Sequence, residues 1–203
     1  MLIKICGLTD KSEALFLKEN NVNFAGMVLF YPKSKRNITI EKAKEIIPNL
    51  GKVKSVAVTV SPTVEQAKQI TEAGFDYLQI HGTLDEEILN TCDIKVLRAF
   101  NVSDMDKYEY YLSFPNIAGF VFDAGEPGSG STFDWDMLKT INLSKDRIHL
   151  LAGGLDANNV AKAIATVNPD GVDVSSGVEY VDKLGKDPDK INKFVAAVRS
   201  CEE

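Results

Sequence analysis

The chain has 203 residues, of which 44% are hydrophobic and 26% charged, with a net charge of −6 and three cysteines. This composition excludes a disordered chain, and the length suits one globular domain with a sizeable core; α/β barrels run to about 200–250 residues as one domain. The charge includes no basic block of the kind a nucleic-acid surface needs, and the longest apolar stretch, FAGMVLF at 24–30, is far shorter than the roughly 20 residues that span a bilayer.

Apolar runs suited to buried strands recur along the chain. They are LIKIC (2–6), FAGMVLF (24–30), VKSVAVTV (53–60), DYLQIH (76–81), IKVLRAF (94–100), IAGFVFD (117–123), RIHLLAG (147–153) and GVDVSS (171–176). Segments with helical spacing lie between them, such as 10–22 with Ala14, Leu15 and Leu17, and 39–50 with Ile40, Ala43, Ile46 and Ile47. Pro62 just inside a helix start and Gly74 just past its end are the expected helix punctuation. Asp156 reads as the N-cap of the helix DANNVAKAIATV. The units around the fifth and sixth strands are the least regular: SDMDKYEYYLSF has a mixed pattern, and the helix after FDW is short, with Asp134 as its cap and Trp135 packed beneath it.

Eight β-α units with near-continuous apolar strands imply a parallel sheet covered on both faces, and eight is the number that closes into a (β/α)8 TIM barrel, one domain over 1–203. An open doubly wound sheet is the alternative, but no GxGxxG follows the first strand. Chemistry in a barrel sits at the carboxyl ends of the strands. Those positions are Cys6, 30–36, 59–61, His81, Arg98, Asp123, Gly153 with Gly154, and Ser175, Ser176 and Gly177.

LAGGL at 151–155 and DVSSGVE at 173–179 follow the last two strands, where glycines and helix-start N–H groups can cradle a phosphate. Taken alone, Gly153 and Gly154 also fit a plain tight connection. Cys6 and Asp123 end strands 1 and 6 and can face each other across the barrel mouth as a base and acid pair. Cys6 also fits a buried inert residue. To act as a base its thiol needs a nearby cation, and Lys4, on the same face of strand 1, is the candidate. A lysine inside a barrel needs a partner, and Asp173 on the last strand is expected to supply it.

YPKSKRNIT holds Lys33, Lys35 and Arg36; it reads as a solvated basic loop or as the source of one cation for the site, Arg36 being best suited to grip a carboxylate. His81 fits a ligand contact or a local backbone contact equally, and His149 is assigned to structure. Cys92 and Cys201 lie away from the strand ends. Three cysteines without a CxxC pair suit a reducing compartment, and with no signal peptide before the first strand the protein is expected in the cytoplasm. No His, Cys or carboxylate cluster has metal-site spacing.

KICGLTD, YPKSKR, LQIHG, FDAG…GSGSTFDW, LAGGL and GVDVSSGVE, in this order and spacing, resemble the phosphoribosylanthranilate isomerase family over nearly the whole chain. The resemblance implies a (β/α)8 barrel that converts N-(5-phosphoribosyl)anthranilate to 1-(2-carboxyphenylamino)-1-deoxyribulose 5-phosphate by an Amadori rearrangement in tryptophan biosynthesis, with no cofactor and no metal. It implies Cys6 as general base, Asp123 as general acid, Arg36 on the anthranilate carboxylate, and the LAGGL glycines with the SSG turn on the phosphate. The partner is then a small phosphorylated sugar, not nucleic acid or membrane; monomer and homodimer both remain open. The loop AGEPGSGSTFDW is shorter than the family's usual glycine-rich stretch and lacks its lysine, and Glu126 within it is a second candidate acid. A related isomerase acting on a histidine precursor is expected to carry aspartates in both catalytic positions, against which Cys6 argues. Two other functions compete: a barrel that only binds a phosphorylated ligand, and a redox sensor at Cys6.

Overall fold

A computed structural model of the protein describes residues 1–123 and 143–202. Eight parallel strands form the sheet: β1 (Leu2–Cys6), β2 (Phe24–Leu29), β3 (Lys54–Val60), β4 (Tyr77–His81), β5 (Lys95–Asn101), β6 (Ile117–Asp123), β7 (Ile148–Leu151) and β8 (Gly171–Val174). Each pairs with the next in sequence, and β1 pairs with both β8 and β2, so the sheet closes into a (β/α)8 barrel and the open-sheet alternative is excluded. A two-residue strand, Asn37–Ile38, adds to β2.

The helices are α1 (Lys11–Glu19), α2 (Ile40–Ile46), α3 (Val64–Glu72), α4 (Glu86–Thr91), α5 (Tyr108–Leu112), α6 (Val160–Val167) and α7 (Pro188–Arg199), counted among the described residues. Side-chain caps start several of them. Asp10 with Glu13 and Thr63 with Gln66 form capping boxes, and Asp187 caps α7 ahead of Pro188.

Strand alternation divides the core in two. Ile3, Ile5, Leu78, Ile80, Phe120 and Phe122 point outward and pack under the helices. Phe24, Val28, Val56, Val58, Leu97, Val121 and Leu150 fill the lumen as a separate cluster. The barrel is therefore plugged through its middle, and a ligand can only enter at a rim.

Several boundaries differ from the sequence reading. β2 stops at Leu29, since Phe30 turns to φ 57°. β7 ends at Leu151 because Gly153 and Gly154 take left-handed backbone, and β8 ends at Val174 because Ser176–Val178 form a 3-10 turn. Pro62 precedes the α3 N-cap, Thr63, instead of lying inside the helix. Asp156 does not cap α6: its carboxylate accepts from the N–H groups of Asn158 and Asn159, and the helix starts only at Val160. The segment between β5 and β6 begins as a 3-10 helix (Val102–Lys107) before α5. Asp134, Trp135, Glu126 and the rest of the AGEPGSGSTFDW loop lie outside the described residues.

Candidate active site

Leu2, Lys4 and Cys6 share the inner side of β1, and Cys6 at its carboxyl end packs half-buried on the lumen cluster. Asp123 ends β6 with the same parity as Val121, a lumen residue, and stands in register with Asn101 of β5. In the closed order only β8 and β7 separate β1 from β6. The thiol and the carboxyl thus rise from one rim of the barrel, on the lumen side.

Below the thiol, the Lys4 ammonium donates to Asp173 at 2.7 Å, with Lys4 fully buried and Asp173 nearly so. The two residues are register partners across the β1–β8 seam, so the buried pair expected between them is present. Burial pulls Lys4 down, but the charges of Asp173 and Cys6 outweigh it and hold the ammonium above the usual lysine range. Burial is also the largest influence on Cys6. It pushes the thiol up, against the pull of Lys4 and Lys186 and with the help of Asp173.

A second charge cluster sits above the thiol. The Arg36 Nε donates to Glu179, and Lys35 meets the other oxygen of that carboxylate at 2.9 Å. Arg36 lies across Gly7: a Cβ there would come within 2.5 Å of the arginine Cδ. Glu179 resists the upward push of its own burial, because Arg36, Lys186 and Lys35 hold the carboxyl down at about 2. Arg36 is therefore tethered to protein beside the Cys6 rim, and any substrate carboxylate must share it with Glu179.

The loops after β7 and β8 touch. Gly153 and Gly154 adopt φ 90° and 64°, with the backbone at Gly154 exposed. A Cβ on Gly177 would overlap the Leu155 carbonyl oxygen at 2.1 Å, so only glycine lets the Ser176–Val178 turn nest against the LAGGL loop. Ser175 donates its hydroxyl to the Cys6 carbonyl at 3.0 Å, which ties the loop after β8 to the strand that carries the thiol. His81, on the lumen face at the end of β4, lies 2.8 Å from Gln79. Burial first, then the charges of Lys4 and Arg98, lowers its pKa to about 4, so the ring is neutral above pH 5 and meets the Gln79 amide as an acceptor.

Some residues placed at strand ends by sequence do not face the site. Arg98 lies outside the lumen, over Phe100 and Tyr111, and donates to the carbonyls of Ile80 and Gly82. Thr59 also has outward parity and donates to the Gln79 carbonyl. His149 is structural: it bridges the Tyr108 hydroxyl at 2.9 Å and Asp170 at 3.1 Å among Phe120 and Phe122. Sequence reasoning missed Lys186 and assigned Glu179 no role. The only signal was a charged pair, seven positions apart, flanking the last strand's loop. Two concavities of about 760 and 620 Å³ open at the opposite, amino-terminal end, around Tyr77 and Lys95 and around Leu2 and Ile148, and neither is lined by Cys6 or Asp123. Cys6, Asp123 and the two glycine loops stand together at the other rim.

A closed (β/α)8 barrel that gathers a thiol, a carboxyl and two glycine loops at the carboxyl ends of its strands has the architecture of an enzyme. Residues 3–197 match the family described as N-(5'phosphoribosyl)anthranilate (PRA) isomerase, and the chain belongs to that family. It is 39% identical to N-(5'-phosphoribosyl)anthranilate isomerase of Listeria monocytogenes over the whole of both chains, and 35% identical to that of Geotalea daltonii over 98% of this chain and 97% of the relative. Phosphoribosyl anthranilate isomerase from Thermotoga maritima superposes with a TM-score of 0.84 at 34% identity, covering 98% of this chain and 99% of the other. A phosphoribosyl anthranilate isomerase in complex with reduced 1-(o-carboxyphenylamino)-1-deoxyribulose 5-phosphate superposes at 0.81 with 32% identity, with the same coverage.

Proposed function

We propose that Cys6 and Asp123 perform the isomerisation of N-(5'-phosphoribosyl)anthranilate that the family carries out in tryptophan biosynthesis. Asp123 gives its proton to the ribose ring oxygen. The C1′–O bond breaks, and the anthranilate nitrogen lone pair closes a protonated Schiff base. The Cys6 thiolate then removes the C2′ proton, and the electron pair forms the C1′=C2′ bond as the nitrogen recovers its lone pair. The enolamine ketonises by losing its hydroxyl proton and gaining one at C1′. The ketonisation protons exchange with solvent, and one proton passed through solvent from the Cys6 thiol to the Asp123 carboxylate restores both groups.

The observation that carries this reading is the placement of Cys6 and Asp123 on the lumen side of the same rim, with two strands between them. Gly153, Gly154, Ser175, Ser176 and Gly177 would hold the phosphate and so fix the pentose between thiol and carboxyl. Arg36 and neutral His81 flank the same opening and suit the anthranilate carboxylate and a sugar hydroxyl. Three free thiols, Cys6, Cys92 and Cys201, fit work in the reducing cytoplasm.

The test follows the fluorescence of freshly made phosphoribosylanthranilate. Cys6→Ser and Asp123→Asn should each lose roughly 10²–10⁴-fold in kcat, the range of a general acid or base. Because turnover needs Cys6 ionised and Asp123 protonated together, and burial raises the thiol, the alkaline fall of wild-type kcat/KM should lie above about 8.5, the ordinary thiol value. Turnover by Cys6→Ser at the wild-type rate would remove Cys6 from its role as base.

A further inference from the structure

Lys186 lies in the loop between β8 and α7, and its side chain is 0% exposed. A lysine this deeply buried needs a full set of acceptors. Its ammonium finds the Glu179 carboxylate at 3.1 Å, the Ser175 carbonyl at 3.1 Å and the Ser175 hydroxyl at 3.5 Å. Its own N–H donates to Glu13 at 2.6 Å, and the other oxygen of that carboxylate accepts from the N–H groups of Thr9 and Asp10 after β1. Both acceptors of the ammonium lead directly into the site: Glu179 holds Arg36, and Ser175 donates to the Cys6 carbonyl.

We propose that Lys186 is a positioning residue for the isomerisation, fixing Arg36 through Glu179 and fixing the cradle against the Cys6 strand through Ser175. The inference rests on the reading of Cys6 and Arg36 given above. It adds a physical reason for the cluster's composition. Glu179 alone would neutralise Arg36 and leave no attraction for a substrate that carries a phosphate and a carboxylate. With Lys186 and Lys35 on the same carboxylate, three cations face one anion, and the cluster keeps a net positive charge while Arg36 stays oriented. Lys186 is also one of two lysine charges felt by the thiol. The groups around Cys6 are Lys4 on its own strand, Asp173 on β8, Lys186 beyond β8, and Arg36 over the neighbouring Gly7.

Lys186→Met is the direct test, with two readouts besides stability. KM should rise about tenfold or more with kcat reduced less, as befits lost orientation of a bound carboxylate. Alkylation of Cys6 by iodoacetamide, followed at the Cys6 peptide by mass spectrometry, should move to higher pH by about one unit, because a nearby cation is gone. A lysine serving only to fill space would leave that profile in place. Glu179→Gln, which replaces the shared carboxylate by a neutral amide and so cuts the charged link from Lys186 to Arg36, serves if Lys186→Met does not fold. It should raise KM about as much as Arg36→Met does, and the double variant should be little worse than either single one. Wild-type KM with an unshifted alkylation profile in Lys186→Met, or additive effects of Glu179→Gln and Arg36→Met, overturns the inference. Retained turnover in Cys6→Ser overturns instead the reading on which it stands.

Discussion

At the scale of single residues the site is a problem in placing charge. The thiol must ionise to act, yet burial opposes this, and the nearest relief is Lys4, whose charge is divided between Cys6 and Asp173. Removing only the lysine strands a buried carboxylate. Lys4→Met should therefore cost about 3–5 kcal/mol in a urea titration, whereas Lys4→Met combined with Asp173→Leu, which replaces the pair by packed hydrocarbon, should recover most of it. Turnover should not recover, because the thiol still lacks its cation. A double variant as active as wild type would show that the Lys4–Asp173 pair as a whole has no bearing on Cys6.

At the scale of elements, the two loops that form the cradle rely on glycine for different reasons. Gly154 sits at φ 64° with open space around the missing Cβ, so Gly154→Ala should cost only about 1–2 kcal/mol of backbone strain while placing a methyl where a phosphate approaches. Gly177→Ala drives a Cβ into the Leu155 carbonyl and should destabilise by about 1–3 kcal/mol as the turn shifts. Melting curves together with KM separate the two: Gly154→Ala keeps its fold better than Gly177→Ala, and both bind substrate more weakly. This also indicates what could be read from sequence. Strands, their carboxyl ends and the glycine loops leave local signatures, since apolar runs, period two and turn residues are short-range properties. Lys186, Glu179 and Arg36 meet across up to 150 positions of chain, and no local pattern distinguishes a buried cation from a solvated one. Arg98 failed for a related reason: in a strand buried on both faces, such as IKVLRAF, hydrophobicity does not say which side faces the lumen, and only pairing with β4 and β6 fixes it.

For the whole molecule, the site's buried ionisable groups set how the barrel responds to acid. His81 is held neutral, with its pKa near 4 in the fold against about 6.5 in an unfolded chain. Between those values the unfolded chain binds more protons, so stability falls as pH drops from 6.5 towards 4. Glu179 also has a lowered folded value, about 2, but its window is more acidic: its contribution is intact above pH 4.5 and is lost as pH falls towards 2. Acid should thus weaken the barrel in two stages, the first shared by His81 and the buried, structural His149, the second by Glu179 and Asp10. The His81 stage should amount to on the order of 2 kcal/mol by pH 4, less than the full shift implies because the ring is partly exposed. Urea midpoints at pH 7, 5.5 and 4 measure it, with His81→Asn as control. The variant should lose His81's part of the slope between pH 6.5 and 4, keep the part due to His149, and keep the fall below 4.5, whereas an unchanged slope would assign the acid sensitivity to groups away from the site.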